Sequence, residues 1–429
     1  MKKILIPIVL ALMICASFFL TGCLEEEHTL QYHAAKEATC TEEGNTEYWE
    51  CTDCGKYYSD ENAENEITDK SSVIIPKKAH SWTETILRIP TYSHGGSVFK
   101  TCTVCGETVT EDTDPLSYTA DITVRSGENI SAAIEKAENG DFIVVEEGTY
   151  AEQLFISGKE ITLIGKGNVV VTGPENYSEM IAIDKTANES AGYSAILAIE
   201  NSDVTVENIT VKGDIEKVSS TSAITHNTRY AGVAAINSDV VMNYVAIKDI
   251  TFNKPLIGIQ NGFGIYAVAA DKDKSLTVRY GEISNFCKCA AVIRNSISNF
   301  TFDGNVVSGM GPQGLIAQNG IQLDCAATVI NNTVSDLSYA PEPANEWAYG
   351  SVAIYVLTKD KSVTVMNNTV KNCDNGILGY ESSTTVSGNV FENMTEEEGC
   401  FNEYLAPAEE SMGFASLLKK PHRFTKAVK

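Results

Sequence analysis

Cysteine residues near the start of the chain have the spacing of metal ligands. Residues 51–55 read Cys-Thr-Asp-Cys-Gly, and residues 102–106 read Cys-Thr-Val-Cys-Gly. A Cys-x-x-Cys pair followed by glycine is the usual knuckle from which two thiolates bind one metal ion. The pattern therefore predicts two metal sites with soft ligands before residue 110.

The two knuckles belong to two copies of one small module. The segment around the first knuckle, residues 38–60, aligns with the segment around the second, residues 89–111. Each copy is opened by a histidine, His28 in the first and His80 in the second. Self-similarity of this kind indicates tandem modules.

Three thiolates and one imidazole are the ligand number and softness that tetrahedral zinc prefers. The first module offers this set as His28, Cys40, Cys51 and Cys54. In the second module Thr91 stands where the first has Cys40, and the predicted ligands are His80, His94, Cys102 and Cys105. Four ligands leave no open coordination position, so both predicted zinc sites are structural. The alternative is a pair of disulfides, although the three cysteines of the first module would leave one unpaired.

The sequence changes character near residue 121. Apolar residues at i, i+3, i+4 and i+7 predict one amphipathic helix with Asn129 as its N-cap; they are Ile130, Ala133, Ile134 and Ala137. The β-branched runs that follow are too short for helices, so strands are predicted.

Seven similar repeats organise the chain from residue 194 to residue 394. Each has three short strands: one led by glycine or alanine, one of Val-Thr-Val type, and one that follows one or two asparagines. Repeats of about 20 residues are typical of solenoid coils, which bury their apolar faces by stacking. We expect the recurring asparagines in tight turns, hydrogen-bonded along the stack; they include Asn305, Asn332, Asn368 and Asn389.

These segments carry two family resemblances. Residues 121–173, with the stretch AIEKAENGDFIVVEEGTYAEQLFISGKEITLIGKG, resemble the N-terminal cap and first coils of the pectin-lyase-like superfamily, and the repeats from 194 to 394 are similar to its β-helix repeats. The resemblance implies an all-β fold, a right-handed parallel β-helix with a short N-terminal capping helix, preceded by the two small Cys/His modules. The modules resemble zinc-ribbon-like repeats on surface proteins of Gram-positive bacteria. Because the superfamily carries many chemistries, the resemblance implies a fold and not one activity.

Long insertions recur at one turn of the repeat, between the asparagine strand and the next Gly-led strand. In a stack this turn lies on one edge, so we expect a wall of loops beside an outward strand face rich in aromatic and amide groups. The predicted polysaccharide-binding residues are Tyr266, Gln322, Trp347, Tyr349, Tyr355 and Tyr380. The alternative is that these loops vary freely and the tyrosines bind nothing.

Catalytic groups are sparse on the same face. Asp324 is the acid among the outward strand positions, and Arg294 on the preceding repeat is its basic neighbour. Calcium-dependent lyases of the superfamily need clustered carboxylates, and its hydrolases need paired acids. A calcium site is therefore possible but is not supported by these two residues. A carbohydrate-binding or adhesin role is therefore favoured, with a polysaccharide lyase or glycoside hydrolase as the alternative.

The first 22 residues have the pattern of an export signal. Two lysines precede an apolar run, and Leu20-Thr21-Gly22-Cys23 resembles a bacterial lipobox, in which the cysteine carries lipid. The alternative is an ordinary signal peptide that happens to end in cysteine. The lipobox predicts a lipid-anchored protein on the extracellular face of the cell membrane.

The balance of acidic and basic residues limits the classes of partner that the chain is expected to bind. The chain has 57 acidic and only 32 basic residues and lacks the basic footprint that nucleic-acid binding requires. The expected partners are a polysaccharide or cell-surface glycan and the membrane, and a monomer is expected. The predicted domains are a signal peptide (1–22), a first module (23–72), a second module (73–114), a β-helix (115–400) and a basic tail or cap (401–429).

Overall fold

The computed structural model describes residues 28–174, 177–178, 181–182, 192–213, 229–251, 261–269, 273–294, 297–314, 316–340, 350–380, 383–395 and 401–403. These residues form two compact units. The first unit holds residues 28–89 and 96–113, and the second holds residues 90–95 and the described residues from 114 onward. Residues 90–95, which the sequence assigns to the second module, therefore belong to the second unit.

The first unit is built from short strands and one 3₁₀ turn, Lys70–Val73. Its strands are β1 (Leu30–His33), β2 (Gly44–Asn45), β3 (Tyr48–Cys51), β4 (Tyr57–Tyr58), β5 (Glu66–Ile67), β6 (Ile74–Ile75), β7 (Trp82–Arg88), β8 (Ser97–Cys102) and β9 (Thr108–Asp112). They pair antiparallel as β1-β3-β4-β5, β2-β6 and β7-β8-β9.

The two halves of this unit share one plan. In each half the first strand begins two residues after the opening histidine, and the strand antiparallel to it ends at the first cysteine of the knuckle. The tandem repeat in the sequence is thus also a repeat in structure.

In the second unit the helix α1 (Ile130–Lys136) packs on the first strands of a solenoid. Its predicted apolar face is buried at Ile130, Ala133 and Ile134. Asn129 takes the N-cap position, but its side chain makes no capping hydrogen bond. The carboxylate of Glu152 instead accepts hydrogen bonds from the backbone amides of Ile130 (2.8 Å) and Ser131 (3.1 Å), where a negative charge is favoured.

The solenoid coils contain three series of strands. The first series comprises β12 (Leu154–Ser157), β15 (Gly192–Glu200), β18 (Arg229–Ile236), β21 (Phe263–Val268), β24 (Cys289–Ile293), β27 (Asn319–Leu323), β30 (Val352–Val356), β33 (Asn375–Gly379) and β36 (Phe401–Glu403), with β14 (Ile181–Ala182) antiparallel to β15. The second series comprises β16 (Asp203–Glu207), β19 (Asp239–Asn243), β22 (Lys274–Arg279), β25 (Ile297–Asp303), β28 (Ala327–Ile330), β31 (Val363–Met366) and β34 (Thr384–Ser387). The third series comprises β17 (Thr210–Lys212), β20 (Ala246–Ile250), β23 (Glu282–Phe286), β26 (Val306–Gln313), β29 (Thr333–Tyr339), β32 (Thr369–Cys373) and β35 (Val390–Glu392). Three further strands, β10 (Ile122–Val124), β11 (Asp141–Ala151) and β13 (Glu160–Thr172), start the stack.

Each strand pairs in parallel with its counterpart on the next coil. The first series and β14 form a ten-stranded sheet, and the other two series join β10, β11 and β13 in a seventeen-stranded sheet. One apolar core runs between the sheets and contains inward residues such as Ile265, Ile321 and Ile354. The predicted all-β parallel β-helix is confirmed.

We call the connections of each coil the first turn (first to second series), the second turn (second to third series) and the third turn (third series to the next first-series strand). At the second turn, buried asparagines form a ladder. The side-chain amide of Asn332 donates to Asn368 (2.9 Å), and that of Asn368 donates to Asn389 (2.9 Å). Asn305 donates to Asn332 (3.2 Å), so the predicted hydrogen bonding along the stack is confirmed.

Close approach of successive coils explains the glycine that is the second residue of both β21 and β27. A Cβ atom on Gly264 would lie 2.5 Å from the carbonyl oxygen of Ala290, and one on Gly320 would lie 2.3 Å from that of Ala353. Any side chain at these positions would force the coils apart. Among the described residues, no helix has the length and apolar character needed to cross a membrane.

Candidate metal centres and carbohydrate surface

The two knuckles have the same backbone geometry. The amide of Gly55 donates to the carbonyl of Cys51 (2.8 Å), and the amide of Gly106 donates to that of Cys102 (2.9 Å). Both glycines have a positive φ, 71° and 75°, which glycine adopts without strain. Each tight turn brings the two thiols of a knuckle to one side.

The second knuckle lies in a group of four potential ligands: Cys40, His80, Cys102 and Cys105. Their ligand atoms are all within 4.8 Å of one another. The Sγ atom of Cys105 is 3.5 Å from Nδ1 of His80, and the Sγ atom of Cys40 is 4.0 Å from that of Cys102.

The place of Cys40 differs from the expectation, which put it with the first module. The reason is a backbone contact: the carbonyl of Thr39 accepts a hydrogen bond from the amide of Lys78 (2.9 Å). Lys78 directly precedes the segment that opens the second module at His80. The contact therefore ties the Cys40 turn to the second knuckle.

The first knuckle lies in a group of three: His28, Cys51 and Cys54. The Sγ atom of Cys54 is 3.7 Å from Nδ1 of His28, and the other ring nitrogen of His28 is 3.1 Å from the hydroxyl of Tyr58. In the second group, Nε2 of His80 is 3.4 Å from the carboxylate of Glu107. Both histidines thus turn Nδ1 toward the thiols, while a partner on the opposite side orients the ring.

His94, expected as a ligand of the second site, belongs to the second unit instead. Its ring stacks on Tyr244 with 3.7 Å between centroids. The adjacent Ser93 donates its amide (2.9 Å) and hydroxyl (3.0 Å) to the buried carboxylate of Glu207. These contacts hold the segment 90–95 against the second turns of the solenoid.

The distances in both groups fit a tetrahedral zinc ion. Zinc–ligand bonds of about 2.3 Å to sulfur and 2.0–2.1 Å to nitrogen put two thiolates about 3.8 Å apart, and a thiolate about 3.6 Å from an imidazole nitrogen. The measured separations of 3.5, 3.7 and 4.0 Å lie close to these values. None of the cysteines in the described part of the chain forms a disulfide.

The first thiol of each knuckle has a lowered pKa, which favours the thiolate, the form that binds metal. A hydrogen bond from the Cys105 amide helps to lower the pKa of Cys102 to about 6, although burial opposes this shift. Burial raises the pKa of Cys51, but hydrogen bonds from Cys54 and other groups outweigh burial and lower it to about 7. Contact with the Cys105 thiol, together with burial, raises the pKa of Cys40 to about 11.

The described residues of the second unit include four further cysteines, at Cys287, Cys289, Cys325 and Cys373. All four are buried. Burial raises the pKa of Cys325 and of Cys373 to about 12. These two thiols lie in the main apolar core, where burial keeps them protonated and unreactive.

The outward face of the first series is not an open groove. Tyr266, Gln322 and Tyr355 lie in one register row, as predicted, but their exposed fractions are only 2%, 2% and 7%. Tyr266 packs with alanines and Val292 in an apolar cluster outside the main core. The expectation of an open aromatic groove is therefore corrected: like most parallel sheets, this one is buried on both faces.

The remaining predicted binding residues fall elsewhere. Trp347 and Tyr349 lie outside the described residues. Tyr380, at a first turn, is half-buried, and the ammonium of the exposed Lys359 lies 5.2 Å from the centroid of its ring. A cation over an aromatic face at this distance is weakly attractive.

The two candidate catalytic residues are neighbours on adjacent coils. Arg294 and Asp324 each follow a first-series strand directly, and the amide of Asp324 donates to the carbonyl of Ile293 (2.9 Å). The guanidinium of Arg294 is 3.4 Å from the hydroxyl of Tyr266. Burial raises the pKa of the Asp324 carboxyl, and the charges of Lys361 and Arg294 oppose this shift.

Lys361, which the sequence analysis did not single out, lies close enough to Asp324 to affect its pKa. A signal was present, since Lys-Asp-Lys-Ser occurs twice, at residues 272–275 and 359–362. In the first copy Lys274 forms a 3.0 Å ion pair with Asp239 of the preceding coil. The second copy likewise brings Lys361 near an aspartate of the preceding coil, Asp324.

Buried polar side chains hold the backbone at the ends of two third turns. The buried carboxylate of Asp374 accepts hydrogen bonds from the backbone amides of Tyr339 (2.8 Å) and Ser351 (2.9 Å), the residues on either side of the connection 340–350. It also accepts from the hydroxyl of Ser338 (2.7 Å). Asn261 has a similar role on an earlier coil, where its side-chain oxygen accepts from the amide of Tyr230 (2.6 Å).

Comparison with known proteins supports the fold. Residues 263–408 match the family model described as the right handed beta helix region. No curated protein matches the chain. Among solved structures, similar ones include a pectin methylesterase from Erwinia chrysanthemi (12% identity, TM-score 0.33, 69% of this chain and 92% of that chain) and a family 28 exopolygalacturonase from Yersinia enterocolitica (11% identity, TM-score 0.26, 86% and 99%). A pectin methylesterase mutant in complex with a hexasaccharide is similar at 12% identity and a TM-score of 0.30, over 69% and 92% of the two chains.

These structural similarities are too weak to transfer an activity to this chain. The assignment rests on the three strand series, their parallel register from coil to coil, and the family match over residues 263–408. The second unit contains a right-handed parallel β-helix, and its residues 263–408 match the right handed beta helix family model.

Proposed function

We propose that this chain is an exported lipoprotein whose β-helix binds an acidic polysaccharide at its first turns. The observation that carries the proposal is a row of basic, acidic and aromatic side chains on four successive coils. We call this row the first-turn patch: Arg294, Asp324, Lys359, Lys361 and Tyr380. Parallel strands lie about 4.8 Å apart, so four coils span about 14 Å, enough for one chain to contact several coils.

The chemistry of the patch suits a polymer that carries carboxylates. Arginine binds a carboxylate through two parallel hydrogen bonds, and lysine supplies a compact charge. Tyr380 offers a partly exposed ring for stacking on a sugar. Three cations in one row contrast with a formal net charge of −25 for the whole chain.

Loss of the patch cations should weaken binding of polyuronate oligosaccharides. We expect the double variant Arg294→Gln, Lys361→Gln to raise Kd about tenfold or more, since each lost charge-assisted hydrogen bond is worth about 1.5–3 kcal/mol at most and surface exposure reduces this value. Titration calorimetry with an oligouronate and with a neutral oligosaccharide of equal length is the measurement. Binding of the oligouronate should also weaken as salt is raised.

Lys371→Gln is the matched control, because Lys371 lies on the third-series strand β32, away from the first turns. It should leave Kd unchanged. Equal binding by the double variant and the control would show that the patch is not the site. Failure of every acidic and neutral glycan to bind would contradict the proposed function itself.

An enzyme acting on the same polymer is the second candidate, and the half-buried Asp324 favours it. A carboxyl whose pKa is raised by burial is suited to hold and donate a proton. If the protein cleaves polyuronate, Asp324→Asn should lower kcat at least a hundredfold while sparing binding. Chain cleavage is followed by reducing-end release or absorbance of an unsaturated product.

The same variant has a defined effect on stability. The pKa of Asp324 is higher in the folded than in the unfolded chain, where a carboxyl titrates near 3.9. The folded state is therefore favoured by protonation below that value, and this contribution is lost as pH rises through the folded pKa. We expect Asp324→Asn to raise Tm at pH 7 and to leave it unchanged at pH 3. A lower Tm at pH 7 would mean that Asp324 is stabilised as a carboxylate.

The proposed lipid anchor depends on Cys23. Cys23→Ser should move the protein from the membrane fraction to the soluble fraction, because the acyl chains that hold it cannot be attached. Cys15→Ser, inside the predicted signal, is the control and should leave the protein on membranes. Membrane retention of the Cys23 variant would contradict lipidation at this residue.

We further propose that the first unit binds zinc as a structural cofactor. The support is the spacing of the ligand atoms in its two groups and the ring orientation of His28 and His80. In this arrangement the zinc unit lies in the chain between the lipidated Cys23 and the β-helix.

A further inference from the structure

We infer that the closed metal site of the first unit is shared between the two modules, and that the first module's own site keeps an open coordination position. The inference rests on the proposed binding of zinc and specifies its ligands. Cys40, from the first module, completes the site formed by His80, Cys102 and Cys105 of the second. The site at His28, Cys51 and Cys54 then has three ligands from the described residues.

Cys40 is in position to act as the fourth ligand of the second site. It is buried, with 6% of its surface exposed, and its Sγ lies 4.0 Å from that of Cys102. All four ligand atoms fall within 4.8 Å of one another. Three thiolates and one imidazole form a complete tetrahedral set.

Backbone contacts fix the loop that carries Cys40, so that Cys40 lies at the second site. Lys36 and Asn45 exchange backbone hydrogen bonds of 2.8 Å, which close the segment that carries Cys40 into a loop. Gly44 packs so closely inside the loop that a Cβ there would lie 2.4 Å from the amide nitrogen of Ala38. The hydrogen bond from Lys78 to Thr39 then holds the loop against the second module.

Sharing of Cys40 explains why the second module has Thr91 at the equivalent position. If each module supplies its extra cysteine to the module that follows, the last module has no metal site to complete. Thr91 lies instead in the segment 90–95, where its carbonyl accepts from the amide of Leu116 (2.8 Å) and Ser93 binds Glu207. Position 91 thus contacts the β-helix, and it holds a threonine where the first module has the proposed ligand Cys40.

By the same logic, the first module's site has only three ligands among the described residues. Its Cys54 is exposed, so a molecule from solution can reach the fourth position. Three protein ligands and one exchangeable ligand are the arrangement of an open zinc site. The chemistry of the ligands points to water in the resting protein and to an imidazole or a thiolate as the ligand that displaces it.

The test uses detergent-solubilised full-length protein loaded with Co²⁺, whose absorption reports thiolate number and geometry. Cys54→Ser isolates the shared site, and Cys105→Ser isolates the first module's site. Adding Cys40→Ser to the Cys54 variant should weaken Co²⁺ binding by more than the 10–100-fold that loss of a supporting contact costs. Adding Cys40→Ser to the Cys105 variant should leave Co²⁺ binding unchanged. Thr41→Ser, at an exposed neighbour, is the control in both backgrounds.

The outcomes separate this inference from the proposal of zinc itself. If the wild-type protein binds no zinc or Co²⁺, the proposed cofactor is wrong. If two metal ions bind but Cys40→Ser weakens the site of the Cys105 variant, Cys40 belongs to the first module and the sharing is overturned.

The open coordination position of the first module's site is tested by ligand exchange. Imidazole or 2-mercaptoethanol should change the visible spectrum of Co²⁺ in the Cys105 variant, because either can replace water. The Cys54 variant, with its closed site, should show no change. A spectrum of the Cys105 variant that is tetrahedral and insensitive to both reagents would mean that the chain supplies a fourth ligand, and would overturn the open site.

Discussion

Removal of metal by a chelator is expected to unfold the first unit and to leave the β-helix folded. Only seven apolar residues of the described first unit are buried, and three of them are cysteines of the two metal groups: Ala38, Cys40, Tyr48, Cys51, Tyr58, Val73 and Cys102. So small a core does not hold a domain together without additional cross-links. Structural zinc contributes about 10–16 kcal/mol in small zinc domains, which is the folding free energy of such a unit.

Tryptophan fluorescence is a selective readout for this unfolding. Two of the three tryptophans of the chain, Trp49 and Trp82, lie in the first unit, and Trp82 stacks on the proposed ligand His80 with 4.8 Å between centroids. Chelation should red-shift the emission and remove one thermal transition, and added zinc should restore both. The transition of the β-helix, with its long apolar core, should remain.

The disulfide alternative predicts a different pattern. Disulfide-bonded modules would ignore the chelator and unfold on reduction, whereas zinc modules should tolerate a reductant. Cys51→Ser should mimic chelation in the first module, while Cys373→Ala, in the β-helix core, should lower only the second transition. A metal-free protein that keeps both transitions under reducing conditions would contradict the zinc proposal.

The fold was predictable because its determinants are local and repeated. Each coil carries its own β-branched strands and most carry a turn asparagine, so repeated copies of a weak signal add up to a strong one. The ladder from Asn305 to Asn389 follows from one residue type recurring at one place in the repeat. Stacking then needs no further information, because each coil contacts only its neighbours.

The sites were less predictable because they depend on which segments meet. Alignment of the modules shows that Thr91 is equivalent to Cys40, but it does not show that Cys40 turns toward the next module. Alternation along a strand correctly puts Tyr266 and Tyr355 on the outward face, yet alternation cannot tell whether that face is covered. Both differences arise from contacts between segments distant in sequence.

The second large effect is expected at Asp374, whose carboxylate anchors the base of a third turn. Replacement by alanine would leave the backbone amides of Tyr339 and Ser351 without this acceptor. Each buried donor left without its partner costs about 1–3 kcal/mol. We therefore expect Asp374→Ala to lower the free energy of unfolding of the β-helix by about 2–6 kcal/mol for the two amides together, measured by chemical denaturation.

A graded series makes the cause of this loss testable. Asp374→Asn keeps one acceptor oxygen and should be destabilised by less than the alanine variant. Asp303→Ala is the matched control: its carboxylate accepts from the exposed side chain of Asn331 (2.8 Å), so its removal should cost under about 1 kcal/mol. Hydrogen exchange should quicken at Tyr339 and Ser351 in the Asp374 variants and not in the control. Equal stability of the alanine and wild-type proteins would mean that the hydrogen bonds from Tyr339 and Ser351 to this carboxylate do not stabilise the β-helix.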